Sequence, residues 1–187
     1  MSYDPDQLQK GVFLVAPPVL DDSNFKRSVV LLCEHSNTGS FGLILNQHIA
    51  VDMIDVLKDP GAFTESIHLG GPVQMDTLHF LHRFGDSVTG SVEVCTNVFW
   101  GGEFDALQET IRNHDAEPTD LRFYLGYAGW SEGQLESEVE AGGWIVTRAD
   151  SEFVFGVDPA SLWRKVMIRM GGEYALLSNY PDEPRLN

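Results

Sequence analysis

The stretch that organises this chain is Val29-Val30-Leu31-Leu32-Cys33-Glu34-His35-Ser36-Asn37-Thr38-Gly39-Ser40-Phe41-Gly42-Leu43-Ile44-Leu45-Asn46. Two short apolar runs, residues 29–33 and 41–45, flank the polar turn Ser36-Asn37-Thr38-Gly39. Such runs joined by a glycine-containing turn predict a β-hairpin. A thiol, a carboxylate and an imidazole stand side by side where the first strand meets the turn. Polar groups in that place either hydrogen-bond the turn or bind something.

On either side of the hairpin, further strands are expected at residues 11–16, stopped by Pro17 and Pro18, and at 78–84, 91–95, 121–127, 144–147 and 153–157. Helices are fewer. In residues 103–113, Phe104, Leu107 and Ile111 recur at helical spacing. Ser131-Glu132-Gly133-Gln134 has the form of a capping box, in which Ser131 accepts from the Gln134 backbone and Gln134 reaches back. Leu135 and Val139 then share a face. A third helix has Asp158 as N-cap, Pro159 at N1, Leu162, Val166 and Met170 on one side, and Gly171 at its end. Strands and helices without regular alternation predict an α+β fold: a single domain with a large mixed, mainly antiparallel sheet and a few flanking helices. Residues 1–10 read as a flexible N-terminus, 11–180 as the domain, and 181–187 as a polar tail.

At 187 residues the chain can bury roughly 70% of its unfolded surface, so it needs no disulfide or metal to fold. Its 28 acidic residues outnumber 12 Lys plus Arg, for a formal charge of -16. Phosphate backbones and anionic membranes repel such a surface, which speaks against direct nucleic-acid or membrane binding. Two cysteines, Cys33 and Cys95, make no secreted disulfide scaffold, and reduced thiols are expected. Residues 1–10 lack a signal-peptide pattern, and the apolar runs are too short to span a membrane. A cytoplasmic protein is expected.

In a regular strand Cys33 and His35 would share a face, so a Cys-His nucleophile is a catalytic candidate. The plainer reading makes Cys33 a small buried hydrophobe and has Glu34 and His35 bracing the turn. Gly39-Ser40-Phe41-Gly42 reads first as a hairpin turn, glycine being the usual turn residue, and second as an anion nest; it is no P-loop, because no Gly-Lys-Ser/Thr is present and a strand follows. His79 and His82 have metal-ligand spacing only on a helix, and the surrounding alternation favours a strand. No metal site and no cofactor is implied. Gly70-Gly71-Pro72 reads first as a turn and second as a place of close approach by a ligand or another chain. At Gly126-Tyr127-Ala128-Gly129-Trp130, small residues beside large aromatics suit tight strand-helix packing.

These motifs carry a resemblance. Gly11-x-Phe13-Leu14-Val15-Ala16-x-Pro18, Asp22-x-x-Phe25-x-Arg27-Ser28-Val29, Cys33-Glu34-His35-x-x-x-Gly39-Ser40-x-Gly42, Asn46, Gly70-Gly71-Pro72, Gly126-Tyr127-Ala128-x-Trp130, Gly133-Gln134-Leu135-Glu136 and Trp163-Arg164 follow one another as in the AlgH/YqgE family of bacterial proteins. The chain resembles that family along nearly its whole length, least distinctly over residues 73–120. The resemblance implies a mixed-sheet α+β fold of complex topology. Some members carry the label of transcriptional regulator, the namesake affecting alginate production. No catalytic mechanism, cofactor or residue-level active site carries over.

Two functions compete. The first is a non-enzymatic binding or regulatory module that acts indirectly on gene expression through a protein or small molecule. Its ligand-binding candidates are Arg27, Ser28, Glu34, His35, Asn46, Gly70 and Gly71. The alternative is an enzyme or redox sensor using Cys33 with His35.

Overall fold

The computed structural model describes residues 8–51, 67–113 and 117–181. The expectations for residues 1–7 and for the tail beyond 181 lie outside the described residues. The hairpin forms as read: β2 (Val29–Ser36) pairs antiparallel with β3 (Gly39–Ile44). Around it grows one nine-stranded sheet. β1 is Val12–Val15, β4 His68–Leu69, β5 Val73–His82, β6 Val92–Cys95, β7 Val98–Trp100, β8 Leu121–Ser131 and β9 Ile145–Arg148. The order across the sheet is β6-β7-β5-β8-β3-β2-β1-β9, and β4 pairs with β8 off this path. Among these pairings only β4 with β8 is parallel, so the sheet is mixed and mainly antiparallel, and the fold is α+β.

Helices cover both faces. Helix α1 (Phe104–Asn113) and helix α2 (Gln134–Glu140) pack on one face through Leu107 and through Leu135 and Val139. Helix α3 (Pro159–Met170) packs on the other through Leu162, Trp163, Val166 and Met167, among Phe13, Val15, Val29, Leu31 and Leu43. Its start is the expected one, with Asp158 Oδ1 accepting from the Ala160 amide at 3.2 Å behind Pro159. A short helix α4 (Gly172–Leu177) follows it.

Strand β8 is the spine. Leu121, Phe123 and Leu125 enter the core under α1, whereas Ala128 and Trp130 enter the core under α2. Odd residues give way to even ones on the same face, so the alternation slips by one between them. Gly126, at φ 68°, absorbs the slip. A Cβ there would stand 2.5 Å from the Gly71 carbonyl oxygen and 2.9 Å from that of Val73. β8 therefore continues past the expected end at Tyr127 to Ser131.

Two local expectations are corrected. Residues 153–157 form no strand; Glu152–Gly156 is a turn of π-helix. Val154 and Phe155 are consecutive and both buried in the α3-side core. A strand would turn one of them outward. Asp150 starts the turn, its Oδ1 accepting from the Phe153 amide at 3.0 Å and its carbonyl from the Val154 amide at 3.1 Å. At the capping box only the reach-back forms: Gln134 Oε1 accepts from the Ser131 amide and hydroxyl at 3.0 and 3.1 Å. Gly133, at φ 70°, is the residue before the helix.

Candidate functional site

The segment bracketing the hairpin supplies most of the sequence candidates, and the fold separates them. At the start of β2, Arg27 and Asn46 meet. Asn46 Oδ1 accepts from the Val29 amide at 2.8 Å, and its Nδ2 donates to the Arg27 carbonyl at 2.9 Å. Arg27 has a left-handed backbone, φ 52°. Its guanidinium lies 4.8 Å from the Trp163 ring centroid, and Nη2 donates to the Tyr180 carbonyl. Arg27 and Asn46 thus tie the C-terminal segment and the strand ends together. Ser28 is fully buried, and among the described residues its Oγ has no hydrogen-bond partner.

At the far end of β2 a bulge changes the local geometry. The pairing runs Leu32 to Gly42 and then Glu34 to Phe41, leaving Cys33 as the extra residue. Cys33 stays on the α3 side, buried beside Leu31 and Leu43. His35 pairs with Ser40, one residue from Phe41, and so lies on the α2 side. The structure does not bring Cys33 and His35 together. Burial also pushes the Cys33 thiol far above its ordinary range, with Cys95 adding to the effect. A thiol held protonated is a poor nucleophile.

His35 instead joins two other groups. Its Nδ1 is 2.8 Å from Ser40 Oγ, and its Nε2 is 3.8 Å from Glu136 Oε1 on α2. A hydroxyl, an imidazole and a carboxylate in a row have the order of a nucleophile with its base. However, β3 is paired along both edges, to β2 and to β8, so its amides are committed to the ladders. An acyl-transfer site needs free donors aimed at the developing oxyanion. Glu34 pairs with Phe41 through the ladder, and its exposed side chain makes no hydrogen bond or ion pair among the described residues. Gly70 and Gly71 pack against the bend in β8: a Cβ would stand 2.3 Å from the Gly126 carbonyl oxygen and 2.1 Å from the Tyr127 carbonyl carbon, respectively.

A different face draws polar and aromatic groups together. His68 on β4, Tyr124 on β8 and His79 on β5 are in register across three adjacent strands. They point to the α3 side, as Tyr124 and Leu81 do in that core. Arg122 lies diagonally beside this row, and Arg83, just past the end of β5, lies diagonally beyond Arg122. Among the described residues seven buried side-chain atoms lack a hydrogen-bond partner, and five belong to this row and its two arginines: His68 Nδ1, His79 Nε2, Arg83 Nε, Arg122 Nη1 and Tyr124 Oη. The Tyr124 hydroxyl lies within hydrogen-bonding reach of Arg122, whose charge and side-chain contact oppose the rise that burial imposes on its pKa. Burial pushes His68 down to about 4, with Arg122 and His48 adding to the effect, and it also lowers His79.

Next to this row, Phe41, Trp100 and Tyr127 surround His79. Phe41 sits 4.7 Å from Trp100, 5.0 Å from Tyr127 and 5.2 Å from His79, centroid to centroid. All four rings are partly exposed. The pair His79 and His82 splits across the sheet, as a strand requires; His82 Nε2 is 3.1 Å from the Gly101 carbonyl on the opposite side. Among the described residues no three His, Cys, Asp or Glu side chains gather as metal ligands would. The sequence offers one hint of this face, the alternation of His79, Leu81 and Arg83 with apolar Phe80, and of Arg122 and Tyr124 with Leu121, Phe123 and Leu125. That pattern marks a strand with two different faces, and only pairing shows that β4, β5 and β8 align theirs.

Comparison with known proteins agrees with the architecture. The chain is 44% identical over 181 residues to a UPF0301 protein of Cytophaga hutchinsonii, covering 96% of this chain and all of that one. It is 42% identical to a UPF0301 protein of Chlorobium limicola, over 97% of both chains. A crystal structure of a Corynebacterium diphtheriae protein superposes with a TM-score of 0.79 at 26% identity, covering 96% of this chain and 95% of that one. The solution structure of AlgH from Pseudomonas aeruginosa gives a TM-score of 0.73 at 29% identity, over 98% and 100% of the two chains. The AlgH-like family model, DUF179, matches residues 13–175, and with this span and these relatives the chain belongs to the AlgH-like family.

Proposed function

We propose that the protein is a non-enzymatic binding module that influences gene expression indirectly, by docking a ring-bearing apolar group of a protein or small molecule. The observation that carries this reading is the patch of four partly exposed rings, Phe41, His79, Trp100 and Tyr127, closed around the unpaired His79 Nε2. Aromatic side chains offer large contact area at low entropic cost, and a buried polar atom among them gives direction to whatever binds. The candidates of the first hairpin favour the same conclusion by elimination, because Arg27, Asn46 and His35 are engaged with neighbouring protein groups. An indirect route fits the charge balance, since 28 acidic against 12 basic residues disfavour docking on a phosphate backbone.

The test is capture of partners and metabolites by the parent protein and by Trp100→Ala and Tyr127→Ala. A partner held by the parent and released by both variants supports the reading. Turnover of a substrate in activity screens, with no capture by the parent, overturns it.

A further inference from the structure

We propose that Arg83 and Arg122 form a binding site for a doubly charged oxyanion, a phosphate group, beneath the π-helical turn Glu152–Gly156. The proposal concerns a different part of the sheet face from the ring patch and stands without it.

Register places the two arginines together. Leu81 is the cross-strand partner of Arg122, and the Arg83 amide donates to the Asp120 carbonyl at 2.9 Å. The two guanidinium groups are therefore diagonal neighbours on the α3 side of β5 and β8. Both reach the same turn. Arg83 Nη2 donates to the Ser151 carbonyl at 3.0 Å, and its guanidinium lies 4.8 Å from the Phe155 ring centroid. Arg122 Nη2 donates to the carbonyls of Phe155 and Val157 at 2.9 and 3.1 Å.

These carbonyls carry partial charges only. Neither arginine is ion-paired with a carboxylate among the described residues, in a chain where acids outnumber bases 28 to 12. Both residues are partly buried, and leaving a charge uncompensated becomes more costly as it is taken out of water. Among the described residues Arg83 also keeps a covered Nε–H without an acceptor, and Arg122 keeps a covered Nη1 with no well-formed bond, its guanidinium reaching only the Tyr124 hydroxyl nearby. His68, only 8% exposed, stands on the neighbouring β4, diagonal to Arg122, and among the described residues its covered Nδ1 has no hydrogen-bond partner. Two positive charges thus stand side by side with no ion-paired carboxylate among the described residues.

A phosphate group is the match. Two guanidinium groups supply two positive charges, and a phosphate near neutral pH carries about the same negative charge. The guanidinium fork also fits the spacing of phosphate oxygens. The unpaired nitrogens differ from those that hold the turn's carbonyls, so an anion adds to the existing bonds instead of replacing them. Single turns of π-helix recur at functional sites, in keeping with a cover over a ligand.

The experiment is an amide-resolved NMR titration of the full chain with inorganic phosphate at constant ionic strength, balanced by chloride. Saturable shifts at Arg83, Arg122 and residues 152–157 are expected. They should weaken at least about tenfold in Arg83→Gln, as the loss of one charge-assisted hydrogen bond predicts. Arg83→Lys, which keeps the charge and loses the fork, serves if the glutamine variant does not fold, and it should also bind more weakly. Shifts that fail to saturate, that chloride reproduces, or that survive unchanged in a folded Arg83 variant overturn the site. Acetate saturating the same shifts as tightly as phosphate overturns the assignment to phosphate.

Discussion

His68 makes the stability of this protein acid-sensitive in a calculable way. The ring is 8% exposed and packs between Tyr124 and His48, with centroids 5.6 and 5.3 Å away. Among the described residues its Nδ1 has no hydrogen-bond partner. Burial, then Arg122, then His48, hold its pKa down to about 4 against an ordinary 6.5. Native His68 therefore stays neutral while the unfolded chain's His68 takes up a proton. The stability this neutrality represents is present above pH 6.5 and is lost as pH falls toward 4. At about 1.4 kcal/mol per pKa unit the loss amounts to about 3 kcal/mol over that window. His79 and His82, also lowered chiefly by burial, act with the same sign. Urea denaturation of the parent and of His68→Gln at pH 7 and pH 4.5 separates this residue from the many carboxylates. Between those conditions the parent should lose about 2–3 kcal/mol more than the variant. NMR titration of the ring should show a midpoint near 4. An equal loss in both proteins, or a midpoint at the ordinary histidine value, would mean that His68 is not the acid-sensitive group.

At the hairpin, exposed Glu34 without a partner makes Glu34→Ala neutral to within about 0.5 kcal/mol, whereas His35→Ala, which breaks the bond to Ser40, should cost about 1 kcal/mol in the same melts. The reverse order would show that the turn depends on Glu34 after all. Iodoacetamide should modify half-buried Cys95, whose pKa burial pushes up to about 11, slowly and before Cys33; rapid labelling of Cys33 in folded protein would contradict its place in the core. Gly126→Ala combines a positive φ with a carbonyl oxygen at 2.5 Å from the new Cβ, and should cost more than about 3 kcal/mol or prevent folding. A soluble Gly126→Ala protein with the parent's denaturation midpoint would mean that β8 does not need the slip.

Residues whose partners are close in sequence were legible from the start. The β2–β3 hairpin, the cap of α3 at Asp158 and Pro159, and the inward face of α2 at Leu135 and Val139 all follow from spacing and turn chemistry. The α+β class follows from the same local signals. Position in the sheet is a non-local property. Cys33 and His35 read as neighbours on one face until the bulge that pairing with β3 creates turned them apart. Val154 and Phe155 have strand propensity, but the α3-side core takes both at once, which only a helical turn permits. His68, His79 and Arg122 on three strands, with Arg83 just past the end of one, lie up to 54 residues apart in a chain of 187, and no local pattern can announce that their side chains share a face. Which residues favour strands, helices and turns was readable in the chain alone, because those preferences arise within a few bonds. Which polar atoms lie beside one another without a partner depended on the assembled sheet, because burial and pairing exist only once distant strands have met.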